Sequence, residues 1–86
     1  RDTCDLLVLS EFLYYTAAGG LDKRIDALLT LAAPGATVAA CHWLGSSDDH
    51  ACSGEDVHAA LGRHPDLTRL VRHREEEFLL EVFRRG

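Results

Sequence analysis

Apolar and polar positions follow two different periods along this chain, and the changes of period mark its elements. Leu6-Leu7-Val8-Leu9 is a short, continuously apolar run that closes on Ser10-Glu11. A run apolar on both faces suits a strand buried between helices, as in a parallel sheet. Glu11 to Tyr15 could open a helical turn, which Ala17-Ala18-Gly19-Gly20 breaks. From Leu21 the period lengthens: Leu21, Ile25, Leu28, Leu29 and Ala32 form one stripe of an amphipathic helix, with Asp22, Lys23 and Asp26 on its wet side. Pro34-Gly35 is expected to stop that helix. Ala36 to Trp43 reads as a second strand, followed by a polar loop from Gly45 to His50. Ser53-Gly54-Glu55-Asp56 has the form of a capping box and opens a short helix with Val57, Ala60 and Leu61 on its apolar side, ended by Gly62 to Pro65. Leu67 to His73 alternates loosely and Phe78 to Phe83 is strongly apolar. The Arg74-Glu75-Glu76-Glu77 link between them is too short for a parallel crossover, so these two strands form an antiparallel hairpin.

The order strand, helix, strand, helix, strand, strand predicts an α/β unit whose sheet is parallel at first and closed by a hairpin. With 86 residues the chain makes one small domain at most, or part of one. Hydrophobic residues at 47% and charged residues at 27% exclude a disordered tail. No apolar run approaches the roughly 20 residues that span a bilayer, and no signal-peptide pattern opens the chain, so no membrane role is expected. The chain starts at Arg1 and is already apolar by Leu6, a start that reads as a cut. Its net charge of −5 is uneven: residues 1–57 carry three basic and nine acidic side chains, residues 58–86 six and five. The C-terminal arginines are interleaved with glutamates, giving an ion-paired wet face rather than the basic stripe of a nucleic-acid binder. Three cysteines cannot all pair internally and show no C-x-x-C spacing, which fits reduced thiols in a cytoplasmic protein.

Asp5 to Tyr15, then Leu31 to Ala40 with its L-x-x-P-G turn, then His42-Trp43, resemble the second half of class I S-adenosylmethionine-dependent methyltransferases. Within that superfamily, Ser10-Glu11 with Leu13-Tyr14-Tyr15, and His42-Trp43, are most similar to the nodulation-protein-S-like branch, which methylates amines, notably on amino sugars. Gly54 to His58 and Glu76 to Val82 resemble that branch's last helix and closing hairpin. The resemblance implies that residues 1–86 are the C-terminal portion of a Rossmann-like methyltransferase domain. It also implies that the glycine-rich cofactor turn and the acidic residue after the second strand belong to an absent N-terminal half, since no G-x-G-x-x-G occurs here. The cofactor of the complete enzyme would be S-adenosylmethionine, the acceptor a small or sugar-like amine, and the further partner an N-terminal complementing half or chain. The rival expectation is a non-catalytic α/β interaction module.

Ligands of open α/β sheets bind beyond the carboxyl ends of the parallel strands. That rule selects Ser10 and Glu11 after the first strand, and His42 and Trp43 after the second. The resemblance sets Leu9 and Ser10 beside the cofactor. Glu11 and His42 are the candidate catalytic groups, since either could hold an ammonium or take its proton. Tyr14, Tyr15 and Trp43 are candidate substrate contacts, whose rings attract a cation. Glu11 could instead serve only the positive end of a following helix. His42 and Trp43, adjacent in a strand, must face opposite sides, so only one of them lines a crevice; one of the two tyrosines is expected to belong to the core. Cys41, His42, His50 and Cys52 lack the spacing of a zinc site, and no metal is expected. His58, His64 and His73 are expected to be structural or surface residues.

Overall fold

A computed structural model describes residues 3–86. Its elements are β1 (Cys4–Ser10), α1 (Leu21–Leu29), β2 (Ala32–Trp43), α2 (Gly54–Arg63), β3 (Leu67–Arg74) and β4 (Phe78–Arg85), with short 3-10 turns at Leu13–Tyr15 and Ala18–Gly20. The strands form a single sheet in the order β1-β2-β4-β3. β1 runs parallel to β2, while β4 is antiparallel to both β2 and β3. The mixed α/β sheet expected from the period changes is therefore present.

Two boundaries differ from the pattern. The apolar stripe continues to Ala32, yet α1 ends at Leu29. Thr30 stops it: its hydroxyl donates to the Ala27 carbonyl at 2.6 Å, and the Thr30 and Leu31 amides donate to Ala27 and Leu28. These tighter bonds close the last turn. Arg85 of β4 also donates from Nε to the freed Leu29 carbonyl at 3.1 Å. Pro34-Gly35 does not separate helix from strand but lies inside β2. Cys4 pairs with Ala32 whereas Leu6 pairs with Thr37, so β2 carries extra residues at the register shift. Proline has no N–H for a ladder, and Gly35 takes a φ of 86°, so the pair fits where the pairing is interrupted.

Both helices cover the same side of the sheet. Leu9, Val38, Ala40 and Phe83 meet Leu21, Ile25 and Leu29 of α1 and Val57, Ala60 and Leu61 of α2 in one buried cluster. The ends of the helices are joined by Arg63–Asp22 at 3.2 Å and His64–Asp26 at 2.6 Å. The opposite side of the sheet carries Leu6 and Val8, 58% and 59% exposed, with Trp43 and Phe78 more than a third exposed.

The predicted capping box forms: Ser53 Oγ accepts from the Asp56 amide at 3.0 Å, and Asp56 Oδ2 accepts from the Ser53 amide at 3.1 Å. It starts α2 against the end of β2. A Cβ on Gly54 would lie 2.4 Å from the Trp43 carbonyl oxygen, so only glycine lets helix and strand approach this closely. That approach fixes α2 beside His42.

Candidate functional site

Because β1 and β2 are parallel and Ser10 pairs with Cys41, the residues after β1 and the last residues of β2 share one end of the sheet. Glu11 leaves β1 there with a φ of 59°, the one positive φ outside glycine among the described residues. Its amide still donates to the Cys41 carbonyl at 3.1 Å. A glutamate in the left-handed region costs on the order of 1 kcal/mol, and such strain gathers at functional positions. Here it turns the Glu11 carboxylate out of the strand and back toward the turn that follows, where the Tyr14 hydroxyl donates to Glu11 Oε1.

Tyr14 is buried and Tyr15 is 53% exposed, so the pair divides as expected. Tyr14 sits at the centre of the site. Its carbonyl accepts from the Ala51 and Cys52 amides at 2.7 and 3.0 Å, docking the loop after β2. Its ring stacks on His50 at 3.9 Å and meets His42 edge-on at 5.3 Å. Burial, then the Glu11 carboxylate, pushes its hydroxyl far up, so it remains a phenol that donates. The Cys41 thiol is raised by burial and by Glu11, which makes it a weak nucleophile.

His42 and Trp43 face opposite sides of the sheet. His42 is fully buried under α2, while Trp43 is 37% exposed on the uncovered side. The Trp43 ring lies across Gly45, where an added Cβ would come within 2.0 Å of it. His42 Nδ1 is 3.1 Å from His58 Nε2, and His58 Nδ1 is 2.8 Å from Glu81 Oε1. Glu81 Oε2 takes Arg69 Nε at 2.6 Å and Arg72 Nη1 at 3.4 Å. Among the described residues His42 Nε2 has no partner. Burial, then the neighbouring His58, lowers His42 to about 4; burial also lowers His58, opposed by Glu81. Both imidazoles are therefore neutral at neutral pH.

Leu9 is in the core, so only its backbone faces the strand end, whereas Ser10 is exposed there. The structure thus brings Ser10, Glu11, Tyr14, Tyr15, His42 and Trp43 to one end of the sheet, but buries Tyr14 and His42 beneath its surface. Sequence reasoning gave no site role to Glu81, took His58 as structural or surface, and weighed His50 only as a metal ligand. The first two carried a signal: His58 falls in the apolar stripe Gly54, Val57, His58, Leu61, and Glu81 occupies an inward position between Leu79 and Phe83. Among the described residues no group of His, Cys, Asp and Glu could hold a metal ion, and no helix is long and apolar enough to cross a membrane.

No family model and no curated protein matches the chain. It is similar to a solved structure described as "a putative Methyltransferase from Pseudomonas syringae", with 33% identity and a TM-score of 0.78, over 99% of this chain and 49% of that one. The chain thus spans about half the length of that protein. Its sheet is part of a Rossmann-like methyltransferase fold.

Proposed function

We propose that this chain is the acceptor-side, C-terminal part of an S-adenosylmethionine-dependent N-methyltransferase of the nodulation-protein-S-like kind, acting on a small or sugar-like amine. The observation that carries the reading is Glu11: a carboxylate in strained backbone at the carboxyl end of a parallel strand, bonded to Tyr14 and beside the end of β2. The donor set suits a cationic cofactor without phosphate: the exposed Glu11 carboxylate, the exposed Ser10 hydroxyl and the ring faces of Tyr15 and Trp43. Ser10 and the Leu9 backbone would hold the cofactor, which supplies a methyl group already activated on a sulfonium. Glu11 holds the acceptor's ammonium and takes its proton, and the tyrosine hydroxyl fixes the direction of that carboxylate. Orientation supplies most of the rate, since an amine needs little further activation once neutral and aligned.

The test is Glu11→Gln in the complete enzyme. Methyl transfer is expected to fall about a hundredfold, with folding unchanged. Wild-type turnover across the pH range would remove Glu11 from the site. A second reading, a non-catalytic interaction module, draws on the apolar side bearing Leu6, Val8 and Phe78. Calorimetry separates the two: the complete protein binds S-adenosylmethionine under the first reading and not under the second.

A further inference from the structure

The chain His42–His58–Glu81 is buried at every member, the three residues being 0%, 2% and 0% exposed. Such a chain can run in only one direction. Glu81 is a carboxylate that takes two guanidinium groups on Oε2, so its Oε1 can only accept. His58 Nδ1 must then donate to it. A neutral imidazole with its proton on Nδ1 has a bare Nε2, so His58 Nε2 accepts. The donor facing it at 3.1 Å is His42 Nδ1. His42 therefore has a lone pair left on Nε2, the atom that finds no partner among the described residues. A buried polar atom without a partner is uncommon and marks either a cost or a use. The His42 ring meets the Tyr14 ring edge-on at 5.3 Å, and the Tyr14 hydroxyl donates to Glu11.

We propose that Glu81 and His58 are positioning residues that fix His42 in the tautomer protonated on Nδ1, so that its bare Nε2 is left as a buried hydrogen-bond acceptor at the carboxyl end of β2. His58, the middle member, lines a surface pocket with Arg69, Arg72 and Arg74, and His42 lies near the carboxyl end of β2. The arginines anchor the chain by holding the carboxylate in one orientation. His42 also meets the Tyr14 ring and lies beside the first turn of α2 at Gly54. The part His42 plays in turnover rests on the proposed transfer reaction; the direction of the hydrogen bonds does not.

The substitution Glu81→Gln tests the direction. The arginine donors claim the amide oxygen, which turns the amide N–H toward His58 Nδ1. That nitrogen must now accept, every bond in the chain reverses, and His42 is left with its proton on Nε2. Histidine-ring nitrogen NMR on the ¹⁵N-labelled chain at neutral pH reads this without any activity. In the unsubstituted chain His42 and His58 are both expected to be protonated on Nδ1, and Glu81→Gln is expected to move both to Nε2. His42 protonated on Nε2 in the unsubstituted chain, or tautomers unmoved by the substitution, would overturn the proposal. The first of these decides even where the variant does not fold. In the complete enzyme the variant is expected to lose about tenfold in kcat, the worth of one hydrogen bond, with the acceptor KM held. Switched tautomers with unchanged kcat would overturn the acceptor role of His42. An unsubstituted enzyme that transfers no methyl group would overturn the proposed function instead.

Discussion

The burial of His42 makes folding stability depend on pH at values where most carboxylates are still charged. In the folded protein His42 is held down to about 4, from an ordinary 6.5, by burial and by His58 beside it. Above pH 6.5 both folded and unfolded chains hold it neutral, and its contribution to stability is fully present. Below 6.5 the unfolded chain takes up a proton that the folded chain refuses, so stability falls until the pH reaches about 4. At ~1.4 kcal/mol per unit the whole window is worth roughly 3 kcal/mol, and the step from pH 7 to pH 5 about 2 kcal/mol. His58, also lowered, acts in the same direction. For a chain this small that is a large part of the total stability. Urea unfolding followed by the fluorescence of Trp43, the one tryptophan, measures it at both pH values. His42→Leu is the control. It strands His58 Nε2 and is expected to cost about 1–3 kcal/mol at pH 7, yet to lose less than the unsubstituted chain on going to pH 5. Parallel losses in the two proteins, or no loss in the unsubstituted one, would refute the argument.

Glu11→Gly should raise the melting temperature, by about 1 kcal/mol of relieved strain, while abolishing activity in the complete enzyme; a lowered melting temperature would mean that the Tyr14 bond outweighs the backbone cost. Gly54→Ala should destabilise by about 1–3 kcal/mol, because its Cβ meets a carbonyl oxygen rather than a movable side chain, and chemical denaturation gives the value. The 86-residue chain by itself is expected not to turn over S-adenosylmethionine, and transfer to any amine by the purified chain would end that expectation. It is also expected to self-associate through the outer edge of β1 and the uncovered apolar side, since an open apolar edge recruits strands. Sedimentation at micromolar concentration should show this, with Val8→Lys reducing it; a concentration-independent monomer would count against it.

The element order was legible because each element keeps one period and is bounded by a distinct signal, as at Ser53, Pro65 and the glutamate-rich hairpin turn. The boundary at Pro34-Gly35 was not. Proline reads as a helix stop, but here a shift in pairing register accommodates it, and register depends on a partner strand distant in sequence. Glu11, Ser10 and the end of β2 could be placed by the rule for strand ends. That His42 would be the covered member of its pair could not, because either side of a strand can receive a helix. The strain at Glu11 is a backbone angle, for which a glutamate in the sequence gives no sign. Glu81 was hidden by its neighbours: Leu79, Leu80, Val82 and Phe83 make the run look uniformly apolar, and only the alternation of β4 shows that its one carboxylate points inward.

The central place of β2 also bears on how the chain assembles. Its twelve residues pair with β1 on one side and with β4 on the other, and both partnerships join segments far apart in sequence. The β3–β4 hairpin closes over a three-residue turn, so it can form early and alone, with Glu81 still hydrated. Water leaves that carboxylate only when β2 docks beside it and α2 closes over the pair. Loss of hydration and completion of the sheet thus fall in one event, placing the rate-limiting barrier at the arrival of β2. Substitutions at Val38 or Ala40 should slow folding, and so should those in the hairpin turn, which is already formed at that barrier.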